Sequence, residues 1–233
     1  MTRLFFFLLL AIAALPSTAT AQNAGGSAAV DVIFGLQNLT GGSANYENFL
    51  ISENTFSLGD GTSAAMATQD AGPIGLSVGE SFQLFANGNA SAFFDGQADA
   101  DAISATLLTI VNDTDVPQDF TVRGDYSVTA DSFGSTTLAF DGSALGALEV
   151  FTNFDPFFDI EVDSFAFEGG GLFQESGFFL IEGSVDPNSV FEIDALADTL
   201  IQGFASEAIP EPSALMLLSC LGLIGLSRRR RSS

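Results

Sequence analysis

Residues 120–129 read FTVRGDYSVT, and this stretch decides the class of fold. Apolar side chains at Phe120, Val122 and Val128 alternate with polar ones, which is the pattern of a β-strand with one face in a core. Arg123 belongs to the polar set, so we expect its side chain on the outward face.

The same two-residue period recurs at 82–84, 102–111 and 160–163. In 102–111 one face carries Ile103, Ala105, Leu107 and Val111, and the other carries Ser104, Thr106 and Ile110. Alternation of this kind is typical of antiparallel sheets with one solvated face. Many acidic residues are then explained as the solvated side of half-buried strands.

Turn signals separate these runs: Asp60-Gly61, Asn87-Gly88, Asp95-Gly96, Asp141-Gly142, the glycines 169–171 and the loop 112–117. Such dipeptides favour hairpins and loops. We therefore expect residues 22–208 to form an all-β body, an antiparallel two-sheet sandwich resembling a jelly roll.

Phenylalanine is the expected bulk of the core, because the chain has 24 Phe and no Trp. Adjacent pairs such as Phe178-Phe179 place one ring on each face of a strand. The outward ring of each pair is therefore either covered or part of an exposed aromatic binding platform.

Segment 189–205 fits two periods. A helical stripe would contain Ile193, Leu196, Ala197, Leu200, Ile201 and Phe204, with Ser189 and Glu192 as a capping box. A strand face would contain Phe191, Ile193, Ala195, Ala197 and Ile201. The neighbouring strands favour the strand.

The charge of the body excludes several functions. Residues 22–208 carry 28 Asp and Glu residues and one Arg, a formal net charge of −27. With almost no cation to neutralise phosphates, nucleic-acid binding is excluded. The chain has no His and one Cys, which removes His-based catalytic triads, His-containing metal sites and an internal disulfide framework.

The first 21 residues have the features of a secretory signal peptide. Arg3 supplies the positive charge, 4–15 is an apolar run, and Ala19 and Ala21 form a small-x-small cleavage site. We expect export through the Sec machinery and a mature chain that begins at Gln22.

The C-terminal end carries a second apolar run. Residues 214–227 would form a short transmembrane helix of about 21 Å at about 1.5 Å per residue, and Arg228, Arg229, Arg230 and Arg231 follow it at once. The arginines hold this end in the cytoplasm while the body lies outside.

Two prolines precede this helix in the order Pro210, Glu211, Pro212. The order of this tripeptide, the short apolar helix and the arginine cluster, over residues 209–233, resembles the PEP-CTERM sorting tail of Gram-negative bacterial surface proteins. The resemblance implies anchoring in the inner membrane with the body in the periplasm, processing by an exosortase, and transfer to the cell surface or an exopolysaccharide matrix.

Catalytic patterns are weak in this chain. Residues 75–79 match Gly-x-Ser-x-Gly, but Ser77 has no His or Lys available as its base. Paired carboxylates could still hydrolyse glycosides, although the abundance of acids makes no pair informative. We expect no enzymatic activity, and an acid-pair glycoside hydrolase is a minor alternative.

Calcium is the one metal ion whose ligands the body has in excess. Two groups of acids are candidate ligands: Asp95, Asp99 and Asp101 in one, and Asp113, Asp115 and Asp119 in the other. Neither follows the EF-hand spacing, so we expect no resident cofactor, with calcium as the open alternative.

Two hypotheses follow from the sequence. The first is an exported, non-catalytic surface or matrix protein sorted through its tail. The second is a calcium-dependent adhesin that binds polysaccharide.

Overall fold

The computed structural model describes residues 23–134, 140–153, 155–166 and 170–205, without the side chains of Phe94, Asp95, Phe140 and Asp141. Nine strands make up this part of the chain. They are β1 (Asn23–Leu39), β2 (Ser43–Ala67), β3 (Ala71–Leu76), β4 (Ser81–Asn112), β5 (Gln118–Phe133), β6 (Phe140–Thr152), β7 (Asp155–Phe165), β8 (Gly171–Val185) and β9 (Ser189–Ala205).

All strand pairs are antiparallel and join in the order β7-β6-β9-β4-β1-β5-β8. The exceptionally long β4 pairs with β1 through residues 81–93 and with β9 through residues 97–112. On its other side β4 pairs with β2, which in turn pairs with β3.

The long strands β2 and β4 each span both parts of the sheet, the part that contains β1 and the part that contains β9. The sheet therefore folds over on itself into two layers. The first layer contains β1, β5 and β8 with residues 81–93 of β4, and the second contains β3, β9, β6 and β7 with residues 97–112 of β4. Phe120 of the first layer packs on Phe191 of the second, with 4.8 Å between ring centroids. The all-β prediction is confirmed, but the expected two separate sheets are two layers of one continuous sheet.

The two ends of the sheet approach each other, so it is nearly closed. The Ser164 hydroxyl of β7 donates a hydrogen bond to the Gly171 carbonyl of β8 over 2.8 Å. The rings of Phe158 and Phe179 stack across the same gap with centroids 5.0 Å apart.

Most of the expected turns are wrong. Asp60-Gly61, Asn87-Gly88, Asp95-Gly96 and Asp141-Gly142 all lie inside strands, whereas 112–117 does lie at the connection between β4 and β5. Of the glycines 169–171, Gly170 directly precedes β8, Gly171 begins it, and residue 169 lies outside the described ranges. The glycines inside strands permit close approach instead of a turn. A methyl group on Gly61 would meet the Gln97 carbonyl oxygen, and one on Gly88 would lie 2.6 Å from Ile201 of the other layer.

The core changes in side-chain size from one end to the other. Small residues such as Ala24, Ala92 and Ala205 fill one end, where the backbones of Gly142 and Gly25 meet. Aromatic rings, including the stacked pair Phe34 and Phe82, fill the wider end. Most of the described buried apolar residues thus form one main core, and the three alanines form a small separate cluster at one end of the body.

The structure decides two local predictions, the buried face of residues 102–111 and the secondary structure of residues 189–205. In residues 102–111 the buried face carries Ser104 and Thr106, while Ile103, Ala105 and Leu107 lie on the outer face. The core accepts these hydroxyls because Ser104 donates to the Phe85 carbonyl over 2.9 Å and Thr106 to the Glu47 carbonyl over 3.1 Å. Segment 189–205 is strand β9, not a helix.

Within the described ranges there is no helix long and apolar enough to cross a bilayer. The signal peptide (1–21) and the sorting tail (209–233), including its expected transmembrane helix, lie outside those ranges and stay predictions as structures.

Candidate functional site

The outer face of the second layer carries a dense set of carboxylates, which we call the acidic face. Cross-strand register places them together. Its members are Asp99 and Asp101 on β4, Glu192, Asp194 and Asp198 on β9, Glu149 on β6, and Asp159, Glu161 and Asp163 on β7. Glu149 stands directly opposite Asp159 in the β6–β7 register.

Two carboxyl groups of this face, Asp194 and Asp198, have raised pKa values, chiefly because they are partly buried. Burial raises the pKa of Asp198, and Asp101 and Glu149 raise it further. Burial also raises the pKa of Asp194, with a smaller contribution from Glu192. Asp194 and Asp198 therefore hold a proton more readily than free carboxyl groups, because burial disfavours their charged forms.

Two of the candidate calcium ligands lie on this face and are held by protein donors. Asp101 accepts hydrogen bonds from the Ser52 hydroxyl and the Asn54 amide, both over 3.1 Å. Asp99 accepts one from the Gln97 amide over 3.0 Å. The third member of that group, Asp95, has no described side chain.

The second calcium group lies in the connection between β4 and β5, with Asp113 and Asp115, and at the start of β5, with Asp119. Asp113, Asp115 and Asp119 are exposed, and the loop is held by buried Asn112 instead. In the part of the chain that the structure describes, no three Cys, Asp or Glu side chains are arranged to hold a metal ion. Calcium binding by either group stays a prediction.

A strip of aromatic and amide side chains, which we call the aromatic strip, borders the acidic face. Phe56 on β2 and Phe204 on β9 are 48% and 49% exposed, and register places Asp99 beside Phe56 and Gln97 beside Phe204. A shallow cavity of about 130 Å³ lies here, lined by Gln97, Asp99, Ser143, Gln202, Gly203 and Phe204.

Sequence reasoning missed the aromatic strip. Phe56, Gln97 and Phe204 are far apart along the chain, and strand register alone brings them together. The only available signal was the general possibility of an exposed aromatic platform.

Ser77 of the Gly-x-Ser-x-Gly match lies in the turn between β3 and β4. Its backbone amide donates to a Glu80 carboxylate oxygen over 2.8 Å. An open depression of about 590 Å³ runs beside the turn. Within the described ranges, no side chain accepts a hydrogen bond from the Ser77 hydroxyl, and the Glu80 carboxylate binds the Ser77 backbone amide instead.

Arg123, the only cation of residues 22–208, lies on the outward face as predicted. It forms an exposed ion pair with Asp125 at 2.5 Å, and its guanidinium lies 4.5 Å from the centre of the Phe178 ring. The hydrogen bond from Arg123 lowers the pKa of Asp125.

Residues 208–231 match the family model of the PEP-CTERM protein-sorting motif. Comparison with the curated proteins and with the solved structures gives no significant match. The chain therefore carries this sorting motif, which includes Pro210, Glu211, Pro212 and the arginines 228–231, and the resemblance seen in the sequence is confirmed. The motif supports export, membrane-anchored sorting and exosortase processing of an extracellular or surface protein.

Proposed function

We propose that the chain is an exported, non-catalytic protein of the cell surface or extracellular matrix, displayed after an exosortase removes its tail. The observation that carries the proposal is the sorting motif at 208–231, which begins three residues after β9 ends at Ala205. The absence of His and Lys from the sequence supports a role without catalysis, because it removes the usual bases and nucleophile activators.

Intact-mass measurement of protein released from the surface tests the sorting step. We expect loss of residues 1–21 and of the apolar tail. Glu211→Ala and Pro212→Ala should leave the protein in the inner membrane, while the matched control Glu207→Ala, just outside the motif, should be released normally. A full-length product ending at Ser233 in a host with an active exosortase would contradict the proposal.

Polysaccharide binding at the aromatic strip is the second candidate. It is favoured by the exposed ring of Phe204, which lines the shallow cavity with Gln97 and Asp99, and by the exposed ring of Phe56, which stands beside Asp99 in the strand register. Exposed rings offer apolar faces to sugars. The Gln97 amide can donate hydrogen bonds to sugar hydroxyls and accept them, and the Asp99 carboxylate can accept them. Phe56 and Phe204 lie two strand spacings apart and are offset by two residues along β4, so their Cα atoms are about 12 Å apart at the usual spacings.

Binding to a panel of neutral and acidic bacterial exopolysaccharides, measured by calorimetry, tests this candidate. Phe56→Ala and Phe204→Ala should weaken binding at least tenfold. Phe157→Ala, which removes a ring of similar exposure from β7, should not. Equal losses in all three variants would exclude the aromatic strip as the binding site.

Calcium binding and catalysis can each be tested by an experiment that does not depend on polysaccharide binding at the aromatic strip. Thermal melting with calcium against a chelator should show stabilisation if a site exists, since a ligand at 100 times its dissociation constant adds about 2.7 kcal/mol. Unchanged melting at millimolar calcium would discard the calcium-dependent adhesin. Turnover of the same glycans, lost in Asp198→Asn, would instead favour the acid-pair hydrolase.

A further inference from the structure

The outer face of the second layer carries charge of one sign only. Arg123, the only cation of residues 22–208, lies on β5 in the first layer, where it is paired with Asp125. Within the described ranges, no basic side chain lies on the acidic face. The charge of this face is therefore left to ions of the solvent or to a ligand from outside.

The aromatic strip joins one end of the acidic face. Strand register sets four outward side chains side by side on β2, β4, β9 and β6, over about 14 Å at the usual strand spacing: Phe56, Asp99, Gln202 and Ser143. Phe204 stands in the next row. Asp101 follows Asp99 on the same face of β4, about 7 Å further along the strand. A ligand that crosses the strip therefore meets carboxylates as soon as it extends along the layer.

The rings of the aromatic strip are free to bind a positive group. The face of an aromatic ring attracts ammonium and guanidinium groups within about 6 Å. Where the described chain has a cation, it uses such a contact, since the Arg123 guanidinium lies 4.5 Å from the centre of the Phe178 ring. Phe56 beside Asp99 offers a ring face and a carboxylate together, and both attract the same kind of ligand group.

Asp99 and the carboxylates behind it also favour a positive ligand. In the described chain, the one hydrogen bond that Asp99 accepts comes from the Gln97 amide over 3.0 Å, whereas an ionised carboxylate has about four acceptor sites. In addition to burial, Asp101 and Glu149 raise the pKa of Asp198, so these carboxylates repel one another across neighbouring strands. A positive group placed among them relieves that repulsion.

We propose that the aromatic strip binds a polysaccharide that carries free amino groups, with sugar rings on Phe56 and Phe204 and protonated amines over Asp99 and the adjoining acidic face. The proposal rests on the polysaccharide binding proposed above and adds the chemical class of the sugar. Acidic sugars would place like charges together, which complementary interfaces avoid. Neutral sugars would use the rings but leave the carboxylates without a counter-charge.

Two oligosaccharides that differ only in charge test the proposal. One is the β-1,4-linked hexamer of glucosamine, and the other is its fully N-acetylated form. Calorimetry uses the full-length chain in non-ionic detergent at about pH 6, where the amines are largely protonated and most carboxylates are ionised. We expect the glucosamine hexamer to bind about ten times more tightly or better. Raising the salt from about 0.05 to 0.5 M should weaken its binding and leave that of the acetylated hexamer unchanged.

Matched charge variants locate the binding site. Asp99→Asn should weaken binding of the glucosamine hexamer about threefold or more and leave that of the acetylated hexamer unchanged. The control Asp131→Asn removes the same charge from a half-buried position on β5 of the first layer and should change neither affinity. Phe204→Ala should weaken binding of both hexamers. Melting curves confirm that each variant is folded.

The outcomes separate this proposal from polysaccharide binding in general. Equal affinities for the two hexamers, or equal losses in Asp99→Asn and Asp131→Asn, would overturn the choice of amino sugars and leave the strip as a polysaccharide site. If neither hexamer binds, the choice of amino sugars is also wrong, and the exopolysaccharide panel above decides separately whether the strip binds polysaccharide. Hexalysine bound as tightly as the glucosamine hexamer, and unaffected by Phe204→Ala, would reveal a surface for any cation and overturn the proposal.

Discussion

At the scale of single residues, Asn112 shows how one side chain organises the loop between β4 and β5 through hydrogen bonds. Its side-chain amide donates to the carbonyls of Val116, Val185 and Asp186 over 2.8, 2.9 and 3.1 Å. Its side-chain oxygen accepts from the backbone amide of Thr114 over 2.9 Å. One buried asparagine thus joins the β4–β5 loop to the end of β8.

Replacing Asn112 should therefore destabilise the body. We expect Asn112→Ala to lower the free energy of unfolding by about 1–3 kcal/mol, because it removes the donor of the buried Val185 carbonyl. The neighbouring control Asp113→Ala is exposed and should stay within about 0.5 kcal/mol of the parent. Urea unfolding measures both, and equal effects would contradict this role for Asn112.

Asp198 gives the body part of its pH dependence. Burial and the nearby Asp101 and Glu149 raise its pKa in the folded state, so the folded state holds this proton more tightly than the unfolded chain. Its contribution to stability is therefore present at pH values below the unfolded pKa and is lost as pH rises through the folded pKa.

It follows that Asp198→Asn should raise the free energy of unfolding at pH 7 and reduce the gain on acidification. The control Asp113→Asn changes the net charge by the same amount on an exposed loop. Denaturant unfolding between about pH 4 and pH 7 compares the two. A larger gain at pH 7 from the control would contradict the assignment.

At the scale of strands, the bend shared by β2 and β4 determines the architecture. Gly61 and Gly96 lie where β4 changes partner from β1 to β9, and the backbones of β2 and β4 meet there. A side chain at Gly61 would clash with the Gln97 carbonyl oxygen.

Gly61→Ala should therefore lower the free energy of unfolding by about 1–3 kcal/mol, the usual cost of overpacking. Gly72→Ala is the control, because a methyl group there meets nothing within 4 Å. Thermal and urea unfolding of both variants checks the difference. A Gly61→Ala variant as stable as Gly72→Ala would show that the bend tolerates a side chain.

The strands themselves could be predicted, but their partners and some faces could not. Alternation at 120–129 and 160–163 identified strands and their outward residues correctly. The period at 102–111 identified a strand but did not show that Ser104 and Thr106 face the core, because their hydroxyls are satisfied by carbonyls of distant strands. Similarly, the sequence Asp-Gly occurs both in turns and at places where two backbones approach closely, so the sequence alone does not distinguish the two.

At the scale of the whole molecule, charge dominates. Residues 22–208 have a formal net charge of −27, and in the described part of the chain the Arg123–Asp125 pair is the only salt bridge. Nearly all of these charges repel one another, and screening shortens from about 30 Å at 0.01 M to about 10 Å at 0.1 M salt.

Stability should therefore rise between about 0.01 and 0.3 M sodium chloride, since most of that repulsion is screened in this range. Denaturant unfolding of the processed protein measures the change. Equal or lower stability at the higher salt would mean that tightly bound cations already neutralise the acids, and would favour the calcium hypothesis.

The sorting tail could be identified from sequence because its parts are contiguous, from Pro210 to Arg231. The acidic face and the aromatic strip could not, because strand register assembles them from residues more than 100 positions apart, such as Phe56 and Phe204. Composition predicted a surplus of carboxylates but not their concentration on one layer.

The end of the body that contains Ala24 and Ala205 also determines where the sorting tail is attached. Gly203 near the end of β9 contacts Ala24 at the start of β1. The first and last described residues therefore lie at the same end of the body. The loop at 113–117 lies at the opposite end of β9, about 55 Å away for 17 residues at about 3.3 Å each. A reporter inserted in that loop should stand clear of the attachment surface, whereas one fused at Asn23 should lie against it.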